Sequence, residues 1–93
     1  MLKINEYFEG KVKSIGFEDN RGPITSGVME AGEYTFSTSS KELMTVVTGA
    51  LTIKLPDDTD WLTFPAGESF RVPAGVSFGV KVQEPTAYIC RYG

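Results

Sequence analysis

The sequence contains no histidine. No chemistry in it rests on an imidazole, either as a metal ligand or as the base that titrates near neutrality. Cysteine is almost as scarce. The single thiol, Cys90, has no partner in the chain for a disulfide. It stands between Ile89 and Arg91 in an alternating stretch and reads as a buried structural thiol, the ordinary state of a free cysteine. Long apolar runs are also missing. Nothing approaches the ~20 consecutive apolar residues that cross a bilayer, and no signal-peptide pattern opens the sequence. A cytoplasmic protein without a membrane partner is expected. Positive charge is in deficit, with 9 Lys and Arg against 12 Asp and Glu, a net charge of −3. That balance argues against a nucleic-acid partner, which needs a clustered basic face. It leaves room for a small anion, which one or two arginines hold.

No long segment repeats with helical period. What the 93 residues do show is alternation with period two, broken by Gly, Pro, Asp and Asn clusters. Strands are expected over 11–17, 25–30, 33–38, 42–48, 51–55, 61–64, 69–72, 78–82 and 86–92. Residues 2–8 read as a turn or an extra edge strand. Residues 19–23 form a loop by composition, and Gly49-Ala50 reads as the turn of a hairpin joining 42–48 to 51–55. Many short strands at close spacing predict one all-β domain over 1–93, a sandwich or closed barrel. A domain this small buries only roughly two-thirds of its unfolded surface, so a homodimer is expected to help stabilise it.

Two spacings narrow the architecture. Gly32, Glu42 and Gly49 form one set; Gly67, Pro73, Gly75 and Phe78 form another. Together they resemble the two signature motifs of the cupin barrel, a jelly-roll-type fold. The resemblance implies inward positions at which cupins hold a metal with histidines and a glutamate. Here Phe36, Thr38 and Phe78 fall at the histidine positions, and Glu42 alone remains of the metal set. One carboxylate among aromatics is a poor transition-metal site, so a pocket with no metal is expected. Its lining is expected from Phe36, Thr38, Glu42, Met44 and Phe78. Tyr34, Phe36 and Thr38 share one strand face, as do Glu42, Met44 and Val46.

The segments NEYFEGKVKSIGF, GEYTFST, the run over 44–51, LPDDTDW and EPTAYICRY resemble one family along nearly the whole chain. It is the family of small cupin-fold pyrimidine/purine nucleoside phosphorylases. The resemblance implies phosphorolysis of purine and pyrimidine nucleosides to free base and ribose 1-phosphate. It implies inorganic phosphate as co-substrate and no metal or organic cofactor.

That chemistry needs an anion holder, for which a planar guanidinium suits. Arg91 is the first candidate, Arg71 the second, and Arg21 lies in a loop; an ordinary surface arginine is the alternative for each. Glu42 is the candidate to bond the ribose hydroxyls or to stabilise a cationic sugar. Tyr34, Phe36, Phe78 and Tyr88 are candidates to stack on the base, with core packing as the alternative. The proton donor to the base stays open among Glu68, Asp60, Tyr34 and Tyr88. A metal-free barrel that binds a small sugar or nucleotide without turnover is the competing function, and a purely structural dimer is a third.

Overall fold

A computed structural model describes residues 2–93. The alternation expected from the sequence appears as ten strands: β1 (Lys3–Tyr7), β2 (Val12–Asp19), β3 (Gly22–Met29), β4 (Gly32–Ser37), β5 (Glu42–Thr48), β6 (Ala50–Lys54), β7 (Leu62–Pro65), β8 (Ser69–Val72), β9 (Ser77–Val82) and β10 (Thr86–Tyr92). They form two antiparallel sheets. The larger has the order β1-β2-β3-β10-β5-β8 and the smaller the order β4-β9-β6-β7. The inward residues of both sheets meet in one core, with Val12, Met29, Val46, Leu51, Ile53 and Val80 almost wholly buried. Each of these strands alternates buried core-facing residues with less buried ones, as a half-buried strand must. Residues 3–7 settle as the edge strand of the larger sheet, paired only to β2.

The loop read over 19–23 is tighter than its composition suggested. Asp19 pairs with Gly22, which leaves Asn20 and Arg21 as the turn. The Asp19 carboxylate caps it by accepting the Arg21 backbone N–H at 2.9 Å.

The hairpin expected at Gly49-Ala50 does not form. β5 pairs with β10 and β8, whereas β6 pairs with β9 and β7. The chain instead crosses from one sheet to the other at this point. Gly49 permits the crossing because its φ is +85°, and a Cβ there would strike Thr86 Oγ1. The buried Thr86 hydroxyl fixes the corner. It accepts the Ala50 N–H at 3.3 Å and shares its own proton between the carbonyls of Glu84 (2.9 Å) and Ala50 (3.1 Å).

Candidate functional site

Between the two sheets lies a cavity of about 400 Å³, within the size range of small-molecule sites. Its aromatic wall comes from β4 and β9. Phe36 and Phe78 are register partners on these strands, with ring centroids 5.9 Å apart and planes inclined by 32°. Both are inward because of strand alternation, and their neighbours Thr35 and Ser37 also border the cavity. Phe8, from the turn after β1, stands edge-on to Phe36 at 5.4 Å. Phe8 and Glu9 both hold positive φ, 54° and 59°, an uncommon state for residues with a Cβ. The conformation carries Phe8 across to β4.

The opposite wall comes from the larger sheet. Met44, Tyr88, Cys90 and Tyr92 line it, with Glu42 at the start of β5. Tyr88 has room because its register partner on β3 is Gly27. A Cβ on Gly27 would come within 2.6 Å of the Tyr88 hydroxyl. Tyr92 is held by a 3.1 Å bond between its hydroxyl and that of Thr25. Glu42 is the sole carboxylate on the lining, and among the described residues no lysine or arginine borders the cavity.

Glu42 is half-buried, and this burial raises its pKa above the ordinary glutamate value. The Cys90 thiol donates to Glu42 Oε1 at 3.5 Å, which opposes that rise in part. Burial pushes the Cys90 thiol up to about 12, with the Glu42 charge adding to it. At neutral pH Cys90 is therefore a thiol and a donor, in keeping with a structural role. Burial likewise raises Tyr88 to about 12.

Of the residues read from the sequence, Phe36, Glu42, Met44, Phe78 and Tyr88 come together here. Four do not. Thr38 is buried but staples the loop before β9: its hydroxyl donates to the Pro73 carbonyl at 2.7 Å and accepts the Val76 N–H at 3.2 Å. Tyr34 packs behind the aromatic wall, 4.9 Å from Phe8, with its hydroxyl donating to the Glu30 carbonyl at 2.6 Å. Arg91 and Arg71 lie on the outward face, because each sits one position from an inward residue, Cys90 and Phe70. Arg91 is engaged there by Asp19, which accepts two bonds from its guanidinium at 3.0 and 2.7 Å. That pairing, helped by the Arg21 N–H, holds the Asp19 carboxyl far below the usual aspartate range.

Tyr7, Phe8, Ser14, Met29, Thr35, Ser37, Cys90 and Tyr92 join the lining without having been singled out for it. Alternation with Tyr88 was the available signal for Cys90 and Tyr92. Phe8 follows only from the unusual turn.

The cupin metal position can be tested on these donors. Phe36 and Phe78 offer none, and the Thr38 hydroxyl is engaged by backbone. Glu42 and Cys90 are two donors, short of the three protein ligands of a catalytic zinc site. Among the described residues no three of His, Cys, Asp and Glu come together. The residues do not fit a cupin metal.

A family profile described as pyrimidine/purine nucleoside phosphorylase matches residues 2–92. A pyrimidine/purine nucleoside phosphorylase of Pseudomonas fluorescens (strain Pf0-1) is 60% identical over 92 residues, covering 99% of this chain and 98% of its own. The chain belongs to the pyrimidine/purine nucleoside phosphorylase family. Among solved structures, a protein of unknown function from Vibrio parahaemolyticus superposes with a TM-score of 0.97 at 47% identity, over 100% of this chain and 99% of that one. An RmlC-like cupin from Shewanella frigidimarina shares the fold at a TM-score of 0.71, with 21% identity over 96% of this chain and 80% of that one. The cupin architecture expected from the glycine and proline spacings is thus the architecture of the chain.

Proposed function

We propose that the aromatic cavity binds a nucleoside and that the chain cleaves its glycosidic bond with inorganic phosphate. The observation that carries this reading is the pairing of Phe36 with Phe78 opposite one half-buried carboxyl, in a chain whose relatives are named for this reaction. Every base has a π-face, so stacking accepts purines and pyrimidines alike. Glu42 faces the space where the sugar sits and stabilises positive charge that develops on it. In the reaction a phosphate oxygen forms a bond to the anomeric carbon while the carbon–nitrogen bond breaks. The bonding pair stays with the base, and the proton carried by hydrogen phosphate ends on the base.

The test is chromatography of uridine and adenosine incubated with purified protein, with and without phosphate. Phosphate-dependent release of uracil and adenine supports the reading. Failure to exceed a tag-matched control in either reaction overturns it. The second reading is a binding module, favoured by the lack, among the described residues, of any lysine or arginine on the cavity lining. Saturable nucleoside binding without product is its signature.

The working unit on this reading is a homodimer. Ile4, Ile15 and Val28 project from the outer face of the larger sheet, 74%, 43% and 49% exposed. Ile4 and Ile15 are register partners, and Val28 lies on the next strand. A second copy of this face covers the patch by symmetry.

A further inference from the structure

We propose that inorganic phosphate docks outside the aromatic cavity, in a basic hollow at the ends of β5, β8 and β10, with Arg71, Arg21 and Lys41 as its holders. This inference rests on the phosphorylase reading and adds to it the place of the co-substrate.

The chain has three arginines, Arg21, Arg71 and Arg91, and all of them border this one hollow together with Lys41. Such gathering is unexpected in a chain with net charge −3. Strand register produces it. Arg91 pairs with Leu43, and Leu43 pairs with Arg71, so the two arginines flank Leu43 in one outward row. At ~4.8 Å between neighbouring strands their Cα atoms lie about 10 Å apart, which leaves room for a phosphate beside Arg71. Arg21 arrives from the β2–β3 turn.

The four cations are not equivalent. Arg91 is already bound bidentately by Asp19. That pair joins β10 to the end of β2 and so fixes the turn that carries Arg21; Arg91 is a positioning residue. Arg71, Arg21 and Lys41 form no ion pair among the described residues. They are uncompensated positive charge, and an arginine fork matches a phosphate edge.

The hollow shares residues with the cavity. Glu42 and Tyr92 border both. The anion therefore sits beside the carboxyl that faces the sugar, and among the described residues the lysine and arginine charge gathers here instead of on the cavity lining. Glu42 is the one acid bordering both spaces.

The experiment is steady-state kinetics of the full chain with uridine, at varied phosphate. Arg71→Ala and Arg21→Ala are each expected to raise the KM for phosphate about tenfold or more, with the KM for uridine changed less than about twofold and a wild-type circular dichroism spectrum. Both arginines are outside the core, so folding is retained. Wild-type phosphate KM in both variants overturns the hollow while leaving the phosphorylase reading intact. If the wild-type chain releases no base at all, that reading falls by itself. Phosphate titration by calorimetry then decides the hollow: heat that is lost in Arg71→Ala supports it, and no heat with wild type overturns it.

Discussion

Cys90 Sγ lies 3.5 Å from Glu42 Oε1, thiol donating to carboxylate across neighbouring strands of the larger sheet. Burial outweighs this bond and leaves Glu42 with a raised pKa. The folded protein then holds the Glu42 proton more tightly than the unfolded chain does. Its contribution to stability is complete below the ordinary glutamate pKa and is lost as pH rises through the elevated folded value. Glu42→Gln removes that loss. The variant is expected to melt above wild type near pH ~8, with the gap closing toward pH ~4. Its kcat is expected to fall by about 10²–10³-fold, the scale of a lost electrostatic stabiliser. Thermal melts against pH and initial rates check both.

Phe36 is only partly buried, so it can be changed with less damage than Phe78, which is 3% exposed. Phe36→Leu keeps apolar contact and removes the stacking face. It is expected to cost about 1–3 kcal/mol of binding for each base, a rise in KM between about fivefold and about 150-fold. Uridine and adenosine should suffer alike. A loss confined to one of them would show that base identity is read at Phe36.

Gly27 leaves the Tyr88 ring its place. Gly27→Ala sets a Cβ 2.6 Å from the Tyr88 hydroxyl and 2.9 Å from the Lys13 carbonyl, which is backbone and cannot swing away. Tyr88 must shift into the cavity. Overpacking of this kind costs about 1–3 kcal/mol, and nucleoside affinity should drop with it. Denaturant melts and inhibition by a nucleoside analogue measure the two effects.

Asp19→Asn releases Arg91. Because the folded-state pKa of Asp19 is depressed by Arg91 and the Arg21 N–H, the stability it contributes is present above the ordinary aspartate pKa and is lost as pH falls through the depressed value. Wild type should therefore melt above the variant at neutral pH, and the difference should survive until strong acid. High salt should narrow it, since the pair is partly solvent-exposed.

Ile15→Lys places a charge in the middle of the apolar outer face. If that face joins two copies, the variant should elute as a monomer with its circular dichroism unchanged. Light scattering on the eluting peak reads the mass directly. A dimer that persists in Ile15→Lys moves the interface elsewhere.

The strands were legible because alternation is a local property. Residues 42–48 and 86–92 coincide with β5 and β10, and the inward set of Phe36, Glu42, Met44 and Phe78 follows from the cupin spacing, with parity grouping Glu42 and Met44 on one face. Pairing was not legible. The Gly49-Ala50 step looks like a hairpin turn, and only the contact with Thr86, 37 residues on, redirects it. Arg91, read as the anion holder, lies outside the cavity for two reasons: parity turns it outward, and its partner Asp19 stands 72 positions away. Thr38 was placed on the right face, but backbone carbonyls took its hydroxyl. No periodicity reveals the left-handed backbone that brings Phe8 to the wall.

The last strand in chain order, β10, stands between β3 and β5 in the middle of the larger sheet. A growing chain reaches Thr86–Tyr92 only after β3 and β5 have been made. Until then β3 and β5 are two bare edges with nothing to join them, and the cavity lacks Tyr88, Cys90 and Tyr92. Synthesis and assembly are thus separated in time: the larger half of the barrel closes only when its keystone emerges. Loss of these few residues would leave two sticky half-sheets rather than a slightly shorter enzyme.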